Sequence, residues 1–314
     1  MPSLFSIPAT RSTIPEVLFQ FLVVLLDERP DDPGGLCQRL GHTPIPEAPM
    51  IESVSYTSSE LSEAGAEVLM DFQRVNDLKA PDGHAIPAFL LSPASPRGGA
   101  VVCHGYGGSK EQMLGIAATI AEKGTAALAI DLCGHGENRT PIGPAMRDEL
   151  EAAVTFVRRF GRTAVIGHSL GGRLALMSSA NVMVAMSPSV MVQMSPQGKW
   201  MFENLPSPGV REPYSGYVLE LLEKLGPVPS HDRRCLLLYS ERDIQALLDG
   251  AAGLQAQLPG AEKRLVSEDI RPDVQHESGL IRYLPRWFNH SELRFNSSAS
   301  ETVGSWLADH LASA

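Results

Sequence analysis

The stretch Gly167-His168-Ser169-Leu170-Gly171 constrains this chain more than any other. It is a G-x-S-x-G pattern set between two different periodicities. Before it, Thr163-Ala164-Val165-Ile166 is a short continuous apolar run of the kind that forms a strand buried on both faces. After it, Arg173-Leu174-Ala175-Leu176-Met177 reads as the start of a helix. A strand that passes directly into a helix around a serine needs a tight, strained turn. The flanking glycines leave room for that backbone and for close helix–strand packing, and Gly172 relieves the crowding further. Such a turn lifts the hydroxyl clear of the sheet, so Ser169 is the first candidate for chemistry.

The same rhythm runs through most of the chain. Glu67 to Val75 alternates loosely, Pro81-Asp82-Gly83 signals a turn, and Ile86 to Leu91 is a second strand, which together predict a hairpin. Short apolar strands follow at Ala100–Cys103, Ala126–Ile130, Asn181–Met186 and Cys235–Tyr239. Helical spacing separates them over Glu111–Lys123, Met146–Phe160 and Ile244–Leu258, and Glu301–Leu311 closes the chain as a helix. Apolar strands alternating with amphipathic helices predict an α/β fold, with a mostly parallel sheet covered on both faces.

Two segments break the rhythm. Residues 1–65 hold many prolines and one apolar run, Val17 to Leu26, and are expected to form an N-terminal extension on the core. That run is shorter than the roughly 20 apolar residues a bilayer span takes. Glu16 before it, Asp27-Glu28-Arg29-Pro30 after it and the absence of a small-residue cleavage pattern argue against a secretory leader. Packing on the core, covering the cap and forming a homodimer contact are all open roles for it. Residues 189–232, rich in proline, methionine and aromatics, read as a cap inserted into a core of 66–188 and 233–314. Ligands of such sheets bind outside the carboxyl ends of the strands, where this insertion falls.

Composition narrows the partners. The 314 residues carry a formal net charge of −10, without a basic run that would suit nucleic acid. The four cysteines, Cys37, Cys103, Cys133 and Cys235, form no disulfide framework, and a chain this long needs none. Free thiols in a reducing, cytoplasmic setting are expected.

Two further motifs accompany the serine turn in a fixed order: His104-Gly105-Tyr106-Gly107-Gly108 directly after a strand, and Asp131-Leu132-Cys133-Gly134-His135-Gly136 after the next. With the turn at Ser169, they resemble the α/β-hydrolase superfamily over about residues 66–314. The resemblance implies a serine nucleophile at Ser169, with oxyanion donors on the backbone N–H groups of Leu170 and Tyr106. It places the acid after the strand ending at Tyr239, at Asp243, with Glu241 and Asp249 as weaker alternatives. Two histidines fit the base. His276 is closer to an obvious strand, Lys263-Arg264-Leu265-Val266, but lies among charged residues from Arg271 to Glu277. His290 follows the apolar Leu280 to Leu284 and a proline turn, a short loop before the closing helix. His290 is the expected base, which makes residues 262–278 an extra stretch before the last strand. His104 and His135 are expected to pack near the site. His168, beside the nucleophile, and Met194 and Trp200 of the insertion are expected to contact substrate.

The expected activity is hydrolysis of a carboxylic ester of a small or medium apolar substrate through an acyl-enzyme. Aminopeptidase-like, thioesterase or acyltransferase chemistry on the same residues stays open, as does a non-catalytic ligand-binding role. No metal or cofactor is expected. The glycine-rich loop after His104 lacks the G-K-[ST] ending of a phosphate loop, and no histidine pair has convincing ligand spacing with a carboxylate.

Overall fold

The computed structural model describes residues 53–57, 69–190, 196, 200, 209–210, 217–267 and 290–311. Cys37, the Val17–Leu26 run, Met194, His276 and the segment 280–289 lie outside the described residues.

The described strands are β1 (Ser53–Thr57), β2 (Leu69–Val75), β3 (Ala88–Pro93), β4 (Gly99–Cys103), β5 (Ala126–Ile130), β6 (Thr163–His168), β7 (Val182–Met186), β8 (Cys235–Ser240) and β9 (Ala261–Val266). They form one sheet in the order β1-β2-β3-β5-β4-β6-β7-β8-β9. β1, β2, β3 and β5 pair antiparallel, and from β5 to β9 every pairing is parallel. The predicted hairpin is β2–β3, and the extension contributes a strand of its own at β1.

Every residue of β4, β5, β6, β7 and β8 is buried, as expected of strands covered on both faces. Alternate residues serve opposite layers. Val101, Cys103, Leu128, Ile130 and Val165 pack with helix α2 (Met146–Val157), α3 (Leu170–Met177) and α4 (Tyr217–Leu225). Ala100, Val102, Ala127, Ala129, Ala164 and Ile166 pack with α1 (Leu114–Glu122) and α6 (Ser297–Leu311). Helix α5 (Gln245–Gln257) covers β7 and β8 through Leu247, Ala251 and Leu254. Helix α4, within the stretch 189–232, sinks Leu221 and Leu225 into the first layer.

Residues 261–266, at the start of the stretch expected before the last strand, form β9, paired residue by residue with β8 from Cys235–Ala261 to Ser240–Val266; the expected last strand, Leu280 to Leu284, lies outside the described residues. The middle four residues of β9 are exposed, including Glu262, Lys263 and Arg264. Charged side chains on an edge strand discourage pairing with another chain, which is why this strand reads poorly as buried core.

Candidate active site

Ser169 stands between β6 and α3 with φ 53° and ψ −111°, a conformation that costs a non-glycine residue of order 1–3 kcal/mol. The surroundings hold it there. Its N–H donates to the Met186 carbonyl at 2.8 Å, and its carbonyl accepts from Ser189 at 3.0 Å and Arg173 at 3.0 Å. The glycines meet a steric demand. A Cβ on Gly167 would lie 2.0 Å from the Gly171 oxygen, and one on Gly171 would lie 2.5 Å from the His104 oxygen. The helix start therefore crosses both its own strand and the end of β4 at backbone contact.

The hydroxyl of Ser169 lies 2.9 Å from His290 Nε2, and His290 Nδ1 lies 3.0 Å from Asp243 Oδ1. Asp243 sits in the turn between β8 and α5 and is fully buried. Its Oδ1 also accepts from the Ile244 N–H at 2.7 Å, and its Oδ2 accepts from the Ser187 hydroxyl. With Asp243 an acceptor, His290 carries its proton on Nδ1 and leaves Nε2 free to accept from the serine. His290 lies in a helical turn just before the 3-10 turn Leu293–Phe295 and α6. All three groups stand at the carboxyl edge of the parallel strands, where α/β sheets bind ligands.

The model of the alpha/beta hydrolase family matches residues 100–302. The chain belongs to the alpha/beta hydrolase family. No curated protein sequence matches it. Among solved structures, Est1E from Butyrivibrio proteoclasticus, determined with ferulic acid bound, is 16% identical with a TM-score of 0.53; the match covers 74% of this chain and 97% of that one. An esterase from Pyrobaculum calidifontis is 18% identical with a TM-score of 0.53, over 77% and 84%. An esterase domain from Rhodothermus marinus is 20% identical with a TM-score of 0.50, over 76% and 99%. At these identities the likeness is one of fold.

Within this hydrolase, the loop after β4 lies against the serine turn. A Cβ on Gly105 would fall 3.1 Å from Ser169 Cβ and 3.0 Å from His168 Nδ1. Leu170 is the first residue of α3, so its N–H has no intrahelical acceptor. Tyr106 is half-buried with its phenol pushed up to about 12 by burial, and its ring meets His135 edge-on at 5.6 Å. His104 donates from Nδ1 to the Gly105 carbonyl at 2.7 Å and accepts the Leu132 N–H on Nε2 at 3.1 Å. Burial holds His104 down at about 4 and His135 at about 3, so both are neutral.

The Asp131 motif is the frame of this loop. Asp131 and Lys110 are both fully buried. Asp131 accepts the Lys110 N–H at 2.7 Å, its ammonium at 2.7 Å and the Glu137 N–H at 2.9 Å. The ammonium also meets Glu111 and Glu137 and lies 4.8 Å from the centre of the Phe89 ring. Burial alone would lower the Lys110 pKa, but these carboxylates raise it, so the lysine is charged.

Glu241 and Asp249 are not part of the His290 contact. Glu241 donates its N–H to Val266, and Asp249 accepts from Gln245 on the exposed face of α5. Trp200 is 54% exposed. Cys103, Cys133 and Cys235 are buried free thiols. Among the described residues no His, Cys, Asp or Glu cluster is arranged for a metal, and no helix is long and apolar enough to cross a membrane.

Sequence reasoning missed Ser187 and the internal contact of His168. Ser187, at φ 44°, follows β7 directly and faces the strand that leads to Asp243. A small polar residue at that strand end was the available signal. His168 is buried and donates from Nε2 to the His290 carbonyl at 2.7 Å, a contact within the protein.

Proposed function

We propose that this protein is a serine hydrolase that cleaves a carboxylic ester of a small or medium apolar substrate. The observation that carries the reading is the continuous array Ser169 Oγ, His290 Nε2, His290 Nδ1 and Asp243 Oδ1, with links of 2.9 and 3.0 Å. A serine hydroxyl is a weak nucleophile until a neighbouring base takes its proton. His290 takes it as Ser169 attacks the carbonyl carbon, and Asp243 stabilises the imidazolium and fixes its tautomer. The carbonyl oxygen becomes an oxyanion, for which the N–H groups of Leu170 and Tyr106 are the proposed donors. Collapse of the tetrahedral intermediate breaks the ester C–O bond, and His290 returns the proton to the leaving alcohol. Water, deprotonated by His290, then releases the acyl group and restores Ser169.

Esterases recur among the structures of like fold, which favours an ester over an amide or thioester. Met194 and Trp200 of the insertion are the proposed apolar contacts for the substrate. The test is labelling by a fluorophosphonate probe with parallel turnover of p-nitrophenyl esters of graded acyl length. Labelling and turnover that both vanish in Ser169→Ala support the reading. Ester turnover that survives in Ser169→Ala overturns it.

A further inference from the structure

Consecutive residues reach His290 from the serine turn. The Ser169 hydroxyl meets the ring at Nε2, and the His168 ring meets the backbone carbonyl, at 2.9 and 2.7 Å. The two imidazoles lie 4.9 Å apart, tilted by 41°. Because its Nε2 faces a carbonyl, His168 must carry its proton there, and Nδ1 is left as a bare acceptor. Nδ1 is buried with no hydrogen-bond partner among the described residues. It faces the other loop of the site, since a Cβ on Gly105 would stand 3.0 Å from it. His168 thus separates the Gly105 loop from the segment bearing His290 and touches both.

The geometry points to His168 as a positioning residue that sets the height and tilt of His290 over Ser169 through the carbonyl bond, a role beyond the three groups of the proposed reaction. The inference rests on the reading of Ser169 and His290 as nucleophile and base. Asp243 and Ser169 hold the ring at its two nitrogens, and the bond from His168 fixes the backbone that carries it, so ring and backbone are held together. A misplacement of about 1 Å can cost roughly 100-fold in rate. The charge state fits the role. Burial first, then His290, Arg294 and His104, hold the His168 pKa well below the ordinary histidine value. A neutral spacer places no cation beside the imidazolium that forms on His290 during each turnover.

The experiment compares the unmutated protein with His168→Leu and His168→Gln. Glutamine keeps an N–H at about the reach of Nε2, and leucine keeps bulk without a donor. In Leu, kcat for a p-nitrophenyl ester is expected to fall about 10- to 100-fold with KM within about two-fold, and Gln is expected to recover most of it. The downfield Nδ1–H proton resonance of His290 should persist in Gln and broaden or vanish in Leu. Nitrogen-15 NMR of the unmutated protein should show His168 as the Nε2–H tautomer with no titration near neutrality. The proposal is overturned by an unchanged kcat in folded Leu, by Gln falling as far as Leu, or by an Nδ1–H or titrating His168. The NMR signals decide His168 even if turnover survives Ser169→Ala, an outcome that would sink the ester reading separately.

Discussion

Among the described residues, two histidines have a carboxylate on one ring nitrogen and a second side chain on the other, and they are built for opposite ends. His290 lies between Asp243 and the Ser169 hydroxyl. His84, in the β2–β3 connection, lies between two carboxylates, with Nδ1 on Asp82 at 2.5 Å and Nε2 on Glu149 at 2.7 Å. In the first array one side can give up a proton and the other cannot, so the ring can relay it. In the second, two acceptors demand two N–H donors, so the ring is held as a cation. Burial alone would lower the His84 pKa, but Glu149 and Asp82 outweigh it and raise it. Glu149 is itself fully buried, accepts from the Cys133 N–H and Asn138, and ties α2 to the Asp131 loop. A histidine–carboxylate contact is therefore no sign of chemistry by itself; the third partner decides.

The comparison breaks most visibly at the serine. Ser169→Ala or His290→Ala should remove turnover by roughly four to six orders of magnitude. His276→Ala should keep most of it, and the reverse pattern for the two histidines would undo the assignment. Asp243→Asn should cost about 10⁴ in kcat, because the amide presents a donor and spoils the tautomer of His290. Asp82→Asn should leave kcat within about two-fold; a fall like that of Asp243→Asn would show the arrays to be functionally linked.

Between these extremes stands Lys110. Its loss in Lys110→Met strands the buried Asp131 carboxylate and should cost about 3–5 kcal/mol in denaturant unfolding. An unchanged midpoint would mean that the loop after β4 is held by other contacts.

The smallest effect belongs to His84. Its folded pKa lies above its unfolded value near 6.5, so its contribution is fully present below about pH 6.5 and is lost as pH rises through the raised folded value. The Glu149 pKa is raised by burial, against its hydrogen bonds, and so acts with the same sign at lower pH. The melting temperature of the unmutated protein should decline from pH 6.5 upward, and that decline should flatten in His84→Gln. Equal slopes would exclude His84 as the source.

Much of this was legible in the residues because it is local. The glycines around Ser169 answer contacts within one strand–turn–helix, so their spacing reports the turn. The period-2 division of β4, β5 and β6 between two helix layers, and the Asp82-Gly83 turn, are equally short-range. The strand over Lys263–Val266 was legible too, but its pairing with β8 at the end of the described sheet was not, because partners across a sheet are far apart in the chain. Ser187 escaped because its partner lies 56 positions away in the chain.

The sequence by itself determined most of the alternation of strands and helices, the strained turn at Ser169 and the short set of candidate acids and bases. Backbone periodicity and glycine sterics act over a few residues, so a chain records them directly. Only the tertiary structure decided that His290 and Asp243 meet at Ser169, that His168 faces a carbonyl, and that His84 is locked between acids. Those outcomes depend on strand ends and loops brought level across the sheet, over separations that no local pattern encodes.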